Sequence, residues 1–254
     1  MKNVILLNKK EGQTPLEALE QFRAKNKEYK DMPMTYAGRL DPMASGLLIV
    51  LVGKECKQKE KYLNLDKEYE FEILFGFATD TYDILGKLQK IFRQDLKSEN
   101  LEKNIKENLK YFTGKFTQKY PMYSSKTVKG KPLFAYAREG EEVETPTREV
   151  FVKSLKFIKI KKIGREKLLE NIEKRIAKVN GDFRQKEILK IWKRELGGLG
   201  RKKLPEQFFS ASFKIKCGSG TYVRGIAHSL GEKINIPALA YSIKRTKIGK
   251  YSKL

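Results

Sequence analysis

The run Ala37-Gly38-Arg39-Leu40-Asp41-Pro42-Met43-Ala44-Ser45-Gly46-Leu47-Leu48 places a single carboxylate in a glycine-bounded loop, and the loop leads into an apolar stretch ending at Val52. A carboxylate held at the mouth of an apolar strand is partly desolvated and aimed, as a nucleophilic or general-base aspartate must be. Asp41 is therefore the first candidate for chemistry. The competing reading is a plain turn, because Asp before Pro is common in loops. Other catalytic inventories are thin. The chain has one histidine, His228, and its two cysteines, Cys56 and Cys217, stand far apart without a C-x-x-C pair. A zinc site or a histidine-based triad lacks its parts, so catalysis must run on Asp, Glu, Tyr, Lys or Arg.

The charge balance narrows the partner. Lys and Arg number 54 against 31 acidic residues, a formal charge of +23 on 254 residues. Such an excess calls for a polyanion or a tolerance of self-repulsion, and nucleic acid leads. A membrane surface would also attract it, but no segment approaches the roughly 18 consecutive apolar residues of a spanning helix. The apolar core within Met1 to Lys10 is too short for a signal peptide and has no small-residue cleavage site, so cytoplasmic residence is expected. With 40% hydrophobic residues, the chain can bury a substantial core in one large domain or two small ones.

The elements that must position Asp41 follow from periodicity. Asn3 to Leu7 reads as a short strand, and Thr14 caps a helix that starts at Pro15 and turns Leu16, Leu19 and Phe22 inward. Glu68 to Ile73 alternates polar with apolar, which puts Tyr69 in the buried register of a strand. Ser98 caps a second helix with Leu101, Ile105, Leu109 and Phe112 on one face and Gly114 beyond its end. Arg148 to Ile160 is strand-like. Phe209 to Cys217 alternates again, and Gly218 and Gly220 precede a helix containing Ile226, Ala227 and Leu230.

One stretch differs from its surroundings. Between Lys156 and Lys203 there are 17 Lys or Arg against 6 Asp or Glu. Leu168, Ile172, Ile176 and Val179 mark one amphipathic helix, Ile188, Leu189 and Trp192 mark another, and Gly181 and Gly197 stand where C-caps belong. This predicts a basic helical hairpin inserted at about 156–203 of a single domain spanning 1–254. The alternative is that its charges are a solvated helix face.

The Asp41 segment resembles the active-site motif of pseudouridine synthases. Its Gly-x-Leu-Asp-Pro-x-Ala-Ser-Gly pattern is most similar to the TruB family, which isomerises uridine 55 in the tRNA T-arm. Four further segments resemble that family in order and approximate spacing. They are Asn8 to Thr14; Lys67-Glu68-Tyr69 with Gly76, Thr79 to Asp83 and Gly86; Tyr120 to Ser125 running on to Ala137-Arg138-Glu139-Gly140; and Cys217 to Arg224. The resemblance implies an α+β pseudouridine synthase fold, with a mixed, largely antiparallel sheet flanked by helices and the site in a central basic cleft. It also implies a tRNA substrate, no cofactor and no obligatory protein partner.

Roles follow from the same resemblance. Isomerisation breaks the N-glycosidic bond, rotates the base and rejoins it through carbon. A carboxylate, here Asp41, either attacks the sugar or base or takes a proton from the sugar, and the sequence leaves these open. Tyr69 is placed against the flipped base, where its phenol can also serve a late deprotonation. Arg224 pairs with Asp41 and keeps it charged, and Asp83 is expected as a second acid on that arginine. Phosphate contact is the competing reading for Arg224, and a cap for Asp83. Arg39, Lys67, Lys126, Arg138 and Tyr222 in the resembling segments, and Tyr36 just before the Asp41 motif, are the candidate substrate-binding residues.

The chain also departs from the family pattern. Tyr36 stands where bacterial members usually carry histidine, and the lysine of the third motif comes one position early, as Lys126. His228 reads as structural. Family members usually continue past the equivalent of Lys247 to Lys250 into a small RNA-binding extension. The basic hairpin is therefore expected to supply grip on RNA while leaving the chemistry independent of it. Two other readings stay open: a uridine isomerase of another RNA, including ribosomal RNA, and a non-catalytic RNA-binding or ribosomal protein on the same scaffold.

Overall fold

In the computed structural model, which describes residues 2–198 and 204–252, the apolar run after Asp41 is a strand buried along most of its length. Around it the elements are β1 (Val4–Lys9), α1 (Pro15–Lys25), β2 (Met34–Ala37), β3 (Ala44–Val52), α2 (Lys59–Leu63) and β4 (Lys67–Phe75). Next come β5 (Phe77–Thr79), β6 (Leu88–Ile91), α3 (Ser98–Asn108), β7 (Gly114–Lys119), β8 (Thr127–Val128), β9 (Lys131–Pro132) and α4 (Leu133–Glu139). The remainder is β10 (Thr147–Gly164), α5 (Arg165–Ile176), α6 (Gln185–Leu196), β11 (Gln207–Cys217), α7 (Val223–Lys233), β12 (Ala238–Ile248) and β13 (Tyr251–Ser252).

The main sheet runs β1-β3-β12-β4-β11-β10-β7, with β2 added on β3 and β13 on β12. Every pair in it is antiparallel except β3 with β12. The fold is thus α+β with a mixed, largely antiparallel sheet. Alternation decides which side chains go where. Tyr69, Phe71, Ile73 and Phe75 of β4 join Phe209 to Cys217 of β11 on one face, covered by α3 and by Val223, Ile226 and Leu230 of α7. Leu74, Phe208 and Leu239 point to the other face, where Leu168, Ile172 and Ile176 of α5 and Ile188, Trp192 and Leu196 of α6 cover them.

Local expectations fare unevenly. Thr14 accepts from the Glu17 amide, and Glu17 reaches back to the Thr14 amide, forming a full capping box with Pro15 at the first helical position. The inward face of α1 differs from the expected one: Pro15, Ala18 and Leu19 are buried, whereas Leu16 is 56% exposed and lines the cleft described below. Ser98 is the first residue of α3 rather than its cap, and its hydroxyl donates to Glu99.

The basic stretch needs a larger correction. Its first part, 156–164, is strand β10 paired with β11, so only α5 and α6 form the helical hairpin, and residues 199–203 lie outside the described residues. The exposed Lys156, Lys159, Lys161 and Lys162 belong to β10. Nor is the hairpin an appendage. Trp192 is fully buried against Phe77, ring centroids 5.2 Å apart, and truncating a buried Trp costs roughly 3–5 kcal/mol. Arg175 forms a bidentate pair with Glu11 and donates to the Tyr241 carbonyl at 2.7 Å. At Gly12, with φ +93°, a Cβ would lie 2.4 Å from the Lys178 carbonyl oxygen, so the hairpin meets the N-terminal loop backbone to backbone. The hairpin is therefore half of one hydrophobic core, and it cannot be removed without opening the sheet.

Candidate active site

Beneath Asp41, two buried cations hold the loop in shape. Lys9 is fully buried, and its ammonium donates to the carbonyls of Gln13, Lys10, Pro42 and Ala44, at 2.6 Å to the last. Burial pushes its pKa down to about 8, and Asp41 and Glu11 pull the other way. Arg245, on β12, donates to Leu47, Arg39 and Gly38 carbonyls, which brackets the loop from both ends. It can do so because β12 runs parallel to the start of β3. There a Cβ on Gly46 (φ +105°) would come within 2.2 Å of the Arg245 carbonyl oxygen, so only glycine fits.

Asp41 projects from this platform, 38% exposed, and Arg224 Nε donates to its Oδ2 at 2.8 Å. Arg224 stands in the first turn of α7 and is almost wholly buried. Its other two nitrogens donate to Thr81 O at 2.7 Å and Tyr123 O at 2.8 Å. Three acceptors in three directions suit a planar fork, and they offset the desolvation of the charge. The arrangement differs from the expected one in a single respect. Asp83 is buried within electrostatic reach of Arg224 but accepts from Thr81 Oγ1 and the Leu85 amide, while carbonyls rather than a second carboxylate complete the arginine's shell.

Burial pushes the Asp83 carboxyl up to about 6, opposed chiefly by Arg224. The native state then holds this proton between the ordinary 3.8 and about 6 where the unfolded chain does not, so this group's stability contribution falls as pH rises through that window. Above it, Asp83 adds negative charge beside Arg224. We expect the single-turnover rate to show an acid limb near pH 6 that disappears in Asp83→Asn. An unchanged limb in that variant would assign it to another group.

These residues open into a cleft of about 760 Å³, ample for one nucleoside. Tyr36, Arg39, Lys67, Tyr69, Asp83, Arg138, Tyr222 and Arg224 all line it with Asp41. Lys126 does not; it is exposed, 5.5 Å from the Tyr120 ring. Tyr69 is 8% exposed in the cleft wall, and burial raises its phenol's pKa, so the ring is presented neutral and suits stacking or hydrogen bonding better than proton removal. Lys67 commits its ammonium to the Leu63 and Leu65 carbonyls at 2.6 Å. Arg39 bonds Ser125 Oγ, Arg138 donates to the Asp182 carbonyl, and the Tyr222 ring meets Tyr120 edge-on. His228 lies outside the cleft lining, stacked on Tyr82 at 3.8 Å.

Sequence reasoning missed Arg245, the platform role of Lys9, and the contribution of residues 182–184. Arg245 stands among Lys244, Thr246 and Lys247 in a basic run that looks solvent-facing. Lys9 carries no clear local mark either, because Asn8 and Lys10 on either side of it are exposed and only the apolar Val4–Leu7 run lies nearby. Nothing local marks residues 182–184.

Comparison with known proteins points one way. Residues 26–177 match the profile of the TruB family pseudouridylate synthase N-terminal domain. The tRNA pseudouridine synthase B of Ligilactobacillus salivarius is 30% identical over 98% of this chain and 68% of its own length. That of Caldanaerobacter subterraneus is 32% identical over 98% and 69%. Among solved structures, a Cbf5-Nop10-Gar1 complex aligns with a TM-score of 0.57 at 18% identity, covering 99% of this chain and 50% of that one. The chain thus spans about half the length of that solved chain, and the likeness is one of fold. The chain belongs to the TruB family of pseudouridine synthases, isomerases of the tRNA pseudouridine synthase B type.

Proposed function

We propose that the protein converts uridine 55 in the T-arm of tRNA to pseudouridine, acting in the cytoplasm without a cofactor. The observation that carries this reading is the Asp41–Arg224 pair on the floor of a cleft walled by Tyr69, because phosphate binding alone calls for neither an aimed aspartate nor a buried tyrosine ring. A base in folded tRNA must be flipped out at a cost of roughly a few kcal/mol, which stacking on an aromatic side chain offsets. Tyr69 offers that surface.

Asp41 then faces the glycosidic bond, either attacking carbon or removing a sugar proton, with one carboxylate oxygen held by Arg224. The fixed arginine keeps the charge oriented, so little reorganisation is needed as the bond breaks. No electron or group leaves the nucleotide. Outside the cleft, exposed lysines on β10 and the overall charge of +23 suit a phosphate backbone.

Incubating the purified protein with an unmodified tRNA transcript and mapping pseudouridine at single-nucleotide resolution tests the proposal. Modification confined to position 55, with no added cofactor, is the expected result. Pseudouridine elsewhere would reassign the target, and none in tRNA would remove the proposed substrate.

A further inference from the structure

The loop between α5 and α6 reaches the active site. Asp182 accepts from Arg138 through its carbonyl at 2.8 Å, and Phe183 and Arg184 line the cleft. Arg184 Nη1 and Nη2 donate to the Asp80 carboxylate at 2.7 and 3.3 Å, and its guanidinium carbon stands 4.2 Å from the Tyr123 ring centroid. Asp80 directly precedes Thr81. The carbonyls of Thr81 and of Tyr123 are the two acceptors that hold the terminal nitrogens of Arg224. One arginine of the hairpin therefore ties together the two segments that orient the catalytic ion pair.

The loop is built to hold this side chain still. Arg184 has φ +65°, a left-handed conformation unfavourable for a residue with a Cβ. It is maintained by the Asp182 carboxylate accepting from the Arg184 amide and by Gln185 bonding the Phe183 amide and the carbonyls of Val179 and Gly181. Arg184 and Asp80 each have only 18% of their side chains exposed. With its bidentate edge on a carboxylate and its face on a ring, this guanidinium is poorly placed to grip phosphate.

We infer that Arg184 is a positioning residue for the uridine isomerisation, holding Thr81 and Tyr123 so that Arg224 keeps Asp41 aimed. The hairpin thus completes the active site, contrary to the expectation that it serves RNA grip alone. The inference rests on the proposed activity for its rate readout, so a second readout is independent of it.

Arg184→Gln, Arg184→Lys and Asp80→Asn are compared with the unaltered protein in single-turnover reactions on saturating tRNA. Affinity is measured across a salt series, and amide hydrogen exchange is followed by mass spectrometry. In Arg184→Gln the rate should fall at least about tenfold, with affinity within about twofold and an unchanged salt slope. Arg184→Lys keeps the charge on Asp80 but loses the planar stack, so it should recover part of the rate. Asp80→Asn combined with Arg184→Gln should lose little more than Arg184→Gln alone, because both remove the Arg184–Asp80 pair and the amide oxygen can still accept from the Lys87 backbone. Exchange should quicken at residues 79–85 and 120–124 and stay unchanged across β3 and β11.

A normal rate with weakened affinity and a flattened salt slope would make Arg184 a phosphate contact and overturn the inference. So would a normal rate with lowered thermal stability alone, or exchange unchanged in both segments. If the unaltered protein forms no pseudouridine in tRNA, the proposed activity fails by itself, and the exchange measurement still decides whether Arg184 orders the two segments.

Discussion

Asp41→Asn should abolish pseudouridine formation, lowering single-turnover rates by about 10²–10⁴-fold or more, while tRNA affinity changes little. The amide keeps the shape of the carboxylate and can still accept from Arg224 Nε, but it is neither a nucleophile nor a base. The loop itself should stand, because its conformation is held from below by Lys9 and Arg245 through backbone carbonyls that the substitution leaves in place. The side chain is 38% exposed, so the loss of its ion pair should cost less stability than the breaking of a fully buried one. Retained turnover in the variant would remove Asp41 from the chemistry.

Arg224→Lys tests the other half of the pair and should fail differently. A single ammonium cannot reach Asp41 Oδ2, Thr81 O and Tyr123 O together, since these lie around a flat fork at 2.7–2.8 Å. Each buried carbonyl left unpaired costs about 1–3 kcal/mol, so thermal unfolding should shift down measurably. Turnover of bound tRNA should fall by about 10²-fold or more as Asp41 loses its fixed orientation, with only a small change in affinity. If affinity drops instead and bound RNA turns over normally, the arginine grips the RNA backbone and the ion pair is incidental to the reaction.

Several structural features were readable because their causes are local. The Thr14 cap with Pro15 and Glu17 is written within four consecutive residues, and the structure forms it in full. The period-two alternation around Tyr69 and from Phe209 to Cys217 placed those side chains on one face, where α3 and α7 cover them. Leu16 shows the limit of the same reasoning. Its spacing from Leu19 suggests a buried stripe, but the structure leaves Leu16 exposed in the lining of the cleft. The basic stretch was misjudged for a related reason. A charge count is blind to pairing, and Arg175 and Arg184 meet acids from distant segments while Lys156 to Lys162 lie along an edge-facing strand.

Residue types and short-range pattern alone marked Asp41 as a carboxylate at the mouth of a buried strand, put Tyr69 on a buried face, and pointed to nucleic acid through net charge. These depend on interactions within a few residues or on sums over the whole chain, and neither needs a fold. Which cation answers which anion was settled by the fold. Arg224 meets Asp41 across 183 residues, Arg184 meets Asp80 across 104, and Arg245 reaches Gly38 across 207. The chain holds 54 basic residues, and before folding each is equally free to pair with any acid or none. Burial breaks that equivalence, because a desolvated guanidinium persists only where several acceptors converge on it, and only the packed sheet with the hairpin over its second face brings those acceptors together.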